Sequence, residues 1–201
     1  MATATLTEQD VDGSLVAAQI DSGPSECYEV VDGQIVEEPP LGARESWVLL
    51  KLNFEIIKAL TVDQSGSLAP EALFLLDDSR RLRRRPDLAF ISTERWPLDK
   101  PAPSEAAWDV IPDLAIEIIS PTDMIDDLMS KIEEYFAVGV RLVWVIHPKY
   151  RKLYAYQSPT NVQILDQNDT LSGGEMISGF SMPLSKIFAG DNETSGSEVS
   201  T

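Results

Sequence analysis

Histidine and cysteine are almost missing from this chain; each occurs once, as His147 and Cys27. A single cysteine excludes a disulfide framework and a thiolate zinc site. A single histidine, with no serine placed beside it by any motif, leaves nothing for a nucleophilic triad, so Ser120 reads as a capping residue. Bases are scarce as well, 16 Lys and Arg against 33 Asp and Glu, for a net charge of −17. A protein built mainly to hold nucleic acid carries the opposite field. Residues 1–26 hold five of the acids and residues 189–201 three more, with no Lys or Arg in either stretch, which leaves −9 on residues 27–188. Any nucleic-acid chemistry must therefore rest on local basic clusters.

Long apolar runs are absent too, and none approaches the roughly 20 residues that span a bilayer. The start of the chain has neither the basic nor the apolar region of a secretory signal. The expectation is a cytoplasmic protein with no membrane association. The glycines make no GxGxxG or phosphate-loop pattern, and there is no internal repeat.

What is present is a core: 43% of the 201 residues are hydrophobic, enough for one domain. Its organising stretch is PDLAIEIISPTDMIDDLMSKIEEYFAVGVRLVWVIHP, residues 112–148. Leu114 to Ile119 is strand-like and apolar except for Glu117, a carboxylate whose burial is costly without a cation or donor. Ser120 and Pro121 suit the N-cap and N1 positions of a helix, and Asp123 suits its first turn. That helix is expected from Thr122 to about Val138, closed by Gly139. Ile125, Leu128, Met129, Ile132, Tyr135 and Phe136 mark its core face, with Lys131 at the edge. Leu142 to Ile146 then reads as a central strand, and a right-handed crossover would make the two strands parallel.

Elsewhere, residues 1–26 are expected to form a flexible N-terminal arm, with Val11 to Ile20 as a short helix or docking segment, and residues 189–201 a disordered acidic tail. Tyr28 to Glu37 reads as a hairpin turning at Asp32-Gly33. Glu45 to Leu60 reads as an amphipathic helix, Glu71 to Leu76 as a short strand, and residues 93–111 as a proline-rich loop holding Trp96 and Trp108. Lys152 to Gln157 and Asn161 to Asp166 read as a second hairpin. The final segment ends on Leu184, Ile187 and Phe188.

Strand parity picks out the chemistry. In an extended run from Arg81 to Ile91, residues Arg81, Arg83, Arg85, Asp87, Ala89 and Ile91 share one face. In the second strand Ala115, Glu117 and Ile119 share a face. If the strands are neighbours, Asp87 and Glu117 converge above small alanines. Two hard oxygen ligands without histidine or thiolate suit Mg²⁺ or Mn²⁺. Arg83 and Arg85 would grip flanking phosphates, and Lys131 would orient or help deprotonate an attacking water, the parts required for metal-assisted phosphodiester hydrolysis.

These residues carry a resemblance. RPD at Asp87, IEIIS at Glu117 and Lys131 downstream resemble the PD-(D/E)xK nuclease superfamily. YEVVDG at 28–33, RPDLAFIS at 85–92, PDLAIEIISP at 112–121, VWVIHP at 143–148 and GFSMPLSKIF at 179–188 are similar to the Uma family of bacterial putative restriction endonucleases. The likeness covers residues 27–188 and implies an α/β (α+β) single domain with a restriction-endonuclease-like mixed sheet and flanking helices. It implies a Mg²⁺- or Mn²⁺-dependent endonuclease acting on DNA, with Asp87 and Glu117 as metal ligands and Lys131 as the water-orienting group. Cutting two strands would suit a homodimer. The sequence departs from the family in places. The superfamily's usual lysine position, two after the acid, holds Ile119, so Lys131 would supply the ammonium. His147 stands where an acid often precedes proline, and Glu45-Ser46 where a histidine often opens the first long helix; Glu45 could add an acid to the site.

Structural readings stand beside these. Glu117 could form an ion pair with Arg85, Lys131 could snorkel from its helix edge, and the arginines could neutralise neighbouring acids such as Asp77 and Asp78. The competing function is a catalytically inactive interaction protein that keeps the fold and binds a basic partner.

Overall fold

A computed structural model describes residues 27–189; the expected N-terminal arm and most of the acidic tail lie outside them. The chain opens with strands β1 (Tyr28–Val31) and β2 (Gln34–Glu37), joined by Asp32 and Gly33, both at positive φ. Two successive left-handed residues make the tight hairpin turn whose twist matches its strands, and glycine adopts that conformation without strain. Helix α1 (Ala43–Asp63) follows, then β3 (Gly66–Pro70), β4 (Phe74–Asp77), β5 (Leu82–Arg84) and β6 (Leu88–Ser92). The organising unit is β7 (Leu114–Ile118), α2 (Ile125–Ala137) and β8 (Leu142–His147). A 3₁₀ turn at Pro148–Tyr150 leads to the hairpin β9 (Lys152–Ser158) and β10 (Asn161–Asp166), and β11 (Thr170–Ser172), β12 (Ser181–Pro183) and the short α3 (Ser185–Phe188) complete the chain.

Six strands form the main sheet in the order β10-β9-β8-β7-β6-β3, and β2-β1-β5-β4 form a second. β7 and β8 run parallel, as a helical crossover between them requires, while β6 lies antiparallel to β7. Parity sorts the two faces. Leu114, Ile116 and Ile118 of β7 face α1, which buries Val48, Leu52, Ile56 and Leu60 on them, each burial contributing about 1.5–3 kcal/mol. Ala115 faces the other way, towards Ile132 and Tyr135 of α2. Glu117 shares that second face.

Three local expectations need correction. The run from Arg81 to Ile91 is not one strand: Arg81 lies at φ 51°, and Arg85-Pro86-Asp87 separates β5 in the second sheet from β6 in the first. Proline cannot donate to a ladder, so the chain changes sheets there and the side-chain parity restarts. Helix α2 begins at Ile125, not Thr122, because Ser120 and Asp123 close a turn on each other; Ser120 Oγ donates to Asp123 Oδ1 at 2.6 Å and Asp123 Oδ2 accepts from Ser120 N at 2.8 Å. Met124 occupies the N-cap without a side-chain bond, and Ile125 and Met129 are exposed instead of core. Strand β3, not anticipated from the pattern, pairs along β6 from Gly66 opposite Ser92 to Pro70 opposite Leu88.

The loop from 93 to 112 is held by a buried acid. Asp113 accepts from Ser92 N at 2.8 Å and pairs with Arg95 at 3.1 Å and Arg141 at 3.4 Å. Arg95 also bonds the carbonyls of Ile111, Pro112 and Gly139. Trp108 stacks on Phe74 and meets Trp96 edge-on, so the loop packs against the α2 side of the core.

Candidate active site

The antiparallel register of β6 on β7 runs Leu88 to Ile116, Ala89 to Ala115 and Phe90 to Leu114. Extended by one residue, it sets Asp87 opposite Glu117. Directly opposed residues share a face, so both carboxylates project on the α2 side, beyond Ala89 and Ala115. Asp87 Oδ2 accepts from Ile118 N at 2.5 Å, which turns its carboxylate across the end of β7. Glu117 Oε1 accepts from the hydroxyl of fully buried Tyr135 at 2.6 Å, and its Oε2 stands 3.9 Å from Lys131 Nζ. Asp87, Glu117 and Lys131 thus meet at the base of one cleft of about 460 Å³.

The electrostatics of the pair are strained. Burial, then the charge of Glu117, pushes Asp87 up to about 8. Burial pushes Glu117 up to about 7, against the opposing pull of Lys131. Two carboxylates held in one partly dry site resist joint ionisation unless positive charge arrives. Lys131 moves the other way. Burial alone would lower its pKa, but Glu117, Glu29 and Glu38 together hold it above the ordinary lysine value.

Glu29 is the residue that sequence reasoning missed. It is fully buried at the base of β1, 2.6 Å from Arg84 Nη1, 3.2 Å from Lys131 Nζ, and accepts from Arg85 N at 2.8 Å. Burial acts to raise its pKa, yet Lys131 and Arg84 keep it below the usual carboxylate range. Arg84 bridges on to Glu134 of α2 at 2.6 Å. The signal was present: an acid inside an apolar strand, the same feature that singles out Glu117. Glu38, just past β2, adds a third carboxylate 2.9 Å from Lys131.

The arginines divide. Arg84 points inward into this network. Arg83 pairs through its backbone with Val30 and Leu75 and does not line the cleft, so it does not share a face with Asp87. Arg85 does reach the cleft rim, where it bonds the carbonyls of Tyr28 and Glu71 and lies over the Tyr28 ring. Glu45, buried near the start of α1, lines the same cleft, as do Glu37, Asp123 and Asp127. The lining also has apolar members, Val36, Pro39, Pro40, Leu41 and Met124. His147 sits at the end of β8 in contact with Tyr150, outside the cleft.

Among the described residues no group of three or more His, Cys, Asp or Glu side chains is arranged to hold a metal ion. A Mg²⁺ site built from one or two carboxylates plus water and substrate phosphate does not need such a group. The opposed pair fits that pattern: hard oxygen donors whose joint ionisation a cation would favour, and open space beside them.

The family model described as "Putative restriction endonuclease", Uma2, matches residues 17–185. The chain belongs to the Uma2 family. A solved structure described as a putative nuclease belonging to DUF820, from Anabaena variabilis, is similar to this Uma2 chain with a TM-score of 0.70 at 17% identity. The match covers 80% of this chain and 89% of that one. It establishes the fold, a mixed α+β nuclease-like domain. No curated protein matches the chain. Among the described residues of this Uma2 protein no helix is long and apolar enough to cross a membrane.

Proposed function

We propose that this Uma2 protein is a Mg²⁺- or Mn²⁺-dependent endonuclease that hydrolyses phosphodiester bonds in DNA. The observation that carries the reading is the opposition of Asp87 and Glu117 across β6 and β7 with Lys131 beside them. Asp87 and Glu117 would hold the cation, which supplies Lewis acidity at the scissile phosphate. Glu117 is aimed by the Tyr135 hydroxyl and Asp87 by Ile118 N–H, so neither carboxylate needs to reorient before binding. Lys131, kept protonated by its three carboxylate neighbours, acts as a donor that orients the incoming water, not as a base. Arg85, at the rim, is placed to meet a flanking phosphate. The acidic body repels DNA, so binding should weaken steeply with salt. In the cytoplasm a homodimer would offer two such clefts to the two strands.

The experiment is cleavage of supercoiled plasmid at low salt with Mg²⁺ or Mn²⁺, using wild type and Asp87→Ala, Glu117→Ala and Lys131→Ala, each checked for folding. Only wild type should nick or linearise the plasmid, and EDTA should stop it. Mn²⁺ should raise the melting temperature of wild type and Lys131→Ala but not of Glu117→Ala. Equal cleavage by all four proteins would remove the site assignment. No cleavage and no Mn²⁺ shift would favour the interaction protein, whose acidic surface suits a basic partner.

A further inference from the structure

The apolar face of the main sheet does not stop where α2 stops. Val143 and Val145 of β8 pack in the same cluster as Ile132 and Tyr135 of α2. Opposite them on β9 stand Tyr156 and Tyr154, half-buried, and opposite those on β10 stand Val162 and Ile164, 38% and 55% exposed. Directly opposed residues share a face, so this apolar row runs from the core to the margin of the sheet. β10 is the last strand there. An edge strand turns every second N–H and C=O outward, and among the described residues the backbone of residues 161–165 bonds to β9 alone. Other edges are protected. β3 ends on Pro70, β2 ends on Glu37, and the margin of β4 is taken by Trp108, which bonds through its backbone to Leu73 and Leu75. β10 contains neither proline nor lysine, and its one irregularity lies at its start, between Asn161 and Val162. Residues 153–165 are the longest stretch of the chain without Asp, Glu, Lys or Arg.

We propose that β10 pairs antiparallel with β10 of a second copy about a two-fold axis through Gln163, joining two six-stranded sheets into one. Charge and symmetry point to that occupant. With 33 acids against 16 bases, two copies repel over most of their surface, and this uncharged strand is where they can close. A two-fold axis perpendicular to the sheet makes the contact isologous and keeps each residue on its own face. Centred on Gln163, it sets Val162 opposite Ile164 of the second copy and Ile164 opposite Val162, which carries the apolar row across the join. Gln163 meets its own counterpart, and a side-chain amide both donates and accepts. Asp166 falls opposite the hydroxyl residue Thr160, whereas centring on Ile164 would set it against Val162. Both copies of α2 then lie on the same side of the joined sheet. A single six-residue ladder sits at the small end of specific interfaces, below about 1,200 Å², so the expected Kd is micromolar. The pairing gives the homodimer of the nuclease reading its surface but does not depend on the chemistry of the cleft.

The test reads mass and cross-linking, not cleavage, so it stands apart from the test of the nuclease. Sedimentation equilibrium on the full chain, from about 1 µM to about 300 µM, should show the mass rising from monomer to dimer. Ile164→Lys charges the edge and should weaken the Kd at least about tenfold. The position is half exposed, so the melting temperature should stay near that of wild type. Gln163→Cys, in a Cys27→Ser background, sits on the axis, where antiparallel Cα atoms stand about 4.5–5.5 Å apart, within disulfide range. Mild oxidation should link it in pairs, and Val62→Cys in the same background, 88% exposed on α1, should link far less. A monomer at every concentration, with Gln163→Cys linking no faster than Val62→Cys, would overturn the proposal. So would a dimer that Ile164→Lys leaves unmoved and Gln163→Cys does not link, which would put the contact on another face, such as the exposed apolar side of α1.

Discussion

Raising the pH of the metal-free protein from 5 to 9 should lower its stability, and Asp87→Asn should abolish most of that loss. Burial and the charge of Glu117 push Asp87 up to about 8, and burial pushes Glu117 up to about 7, both well above ordinary carboxylates. Their folded pKa values lie above the unfolded ones, so between roughly pH 4 and 8 the native state binds more protons than the unfolded chain. Stability then falls as pH rises through that window. Carrying one carboxyl from its ordinary value up to about 8 would alone correspond to about 5 kcal/mol. Asp87 opens to the cleft, where water screens it, and the charge of Glu117 is part of the cause of its shift. The expected loss for the pair is therefore on the order of 2–4 kcal/mol. His147, lowered by burial, works in the opposite sense near pH 6, and Glu29, also lowered, loses stability only in acid. Both are common to wild type and variant and cancel in the comparison. Asparagine keeps an oxygen to accept from Ile118 N, so the turn at Asp87 survives. The assay is urea unfolding at pH 5, 7 and 9, with the two proteins converging at pH 5 and Asp87→Asn the more stable at pH 9. Mn²⁺ should restore wild type alone. Parallel pH dependences would refute the account of a strained carboxylate pair.

Two substitutions probe the frame around the cleft. Arg84→Ala leaves fully buried Glu29 without its 2.6 Å partner while Lys131 and the Arg85 N–H remain, so the loss in urea unfolding should fall at or below the low end, about 3 kcal/mol, of the penalty for breaking a buried pair; a loss below about 1 kcal/mol would mean the network is solvated. Gly66→Ala would set a Cβ 2.3 Å from the Ile91 carbonyl and 2.5 Å from the Phe90 ring. Neither backbone nor core ring can yield cheaply, so the melting temperature should fall by several degrees, corresponding to about 1–3 kcal/mol; an unchanged melting temperature would contradict the packing of β3 on β6.

The strand–helix–strand unit and the facing of Asp87 and Glu117 were legible because both follow from periodicity within short stretches. The hairpin at Asp32-Gly33 was legible from turn chemistry. The common face of Arg83, Arg85 and Asp87 was not, since extended parity assumes an unbroken strand, and Pro86 hands the chain from one sheet to another. Ser120 had the chemistry of an N-cap but found a nearer partner in Asp123, which moved the start of α2 downstream. Lys131 was found as an edge residue, while its clamp was not: Glu38 lies 93 residues away in sequence, and no local pattern reports such a contact. Which face of α1 meets the sheet was hidden for a related reason: Trp47, Leu50, Phe54 and Ile57 are exposed and Val48, Leu52, Ile56 and Leu60 buried, and both sets are apolar at helical spacing.

Every residue of β2 is exposed, yet the β1–β2 hairpin's Glu29 and the Glu38 that follows it hold Lys131, the one lysine lining the cleft among the described residues. Local opening of an edge hairpin needs far less free energy than global unfolding. Each such opening would release Lys131 from two carboxylates while Asp87 and Glu117 stay in place on the central strands. The cleft therefore has parts of unequal permanence: its carboxylates hold their places as long as the central strands do, and the clamp on its ammonium group lasts only as long as one small hairpin stays closed.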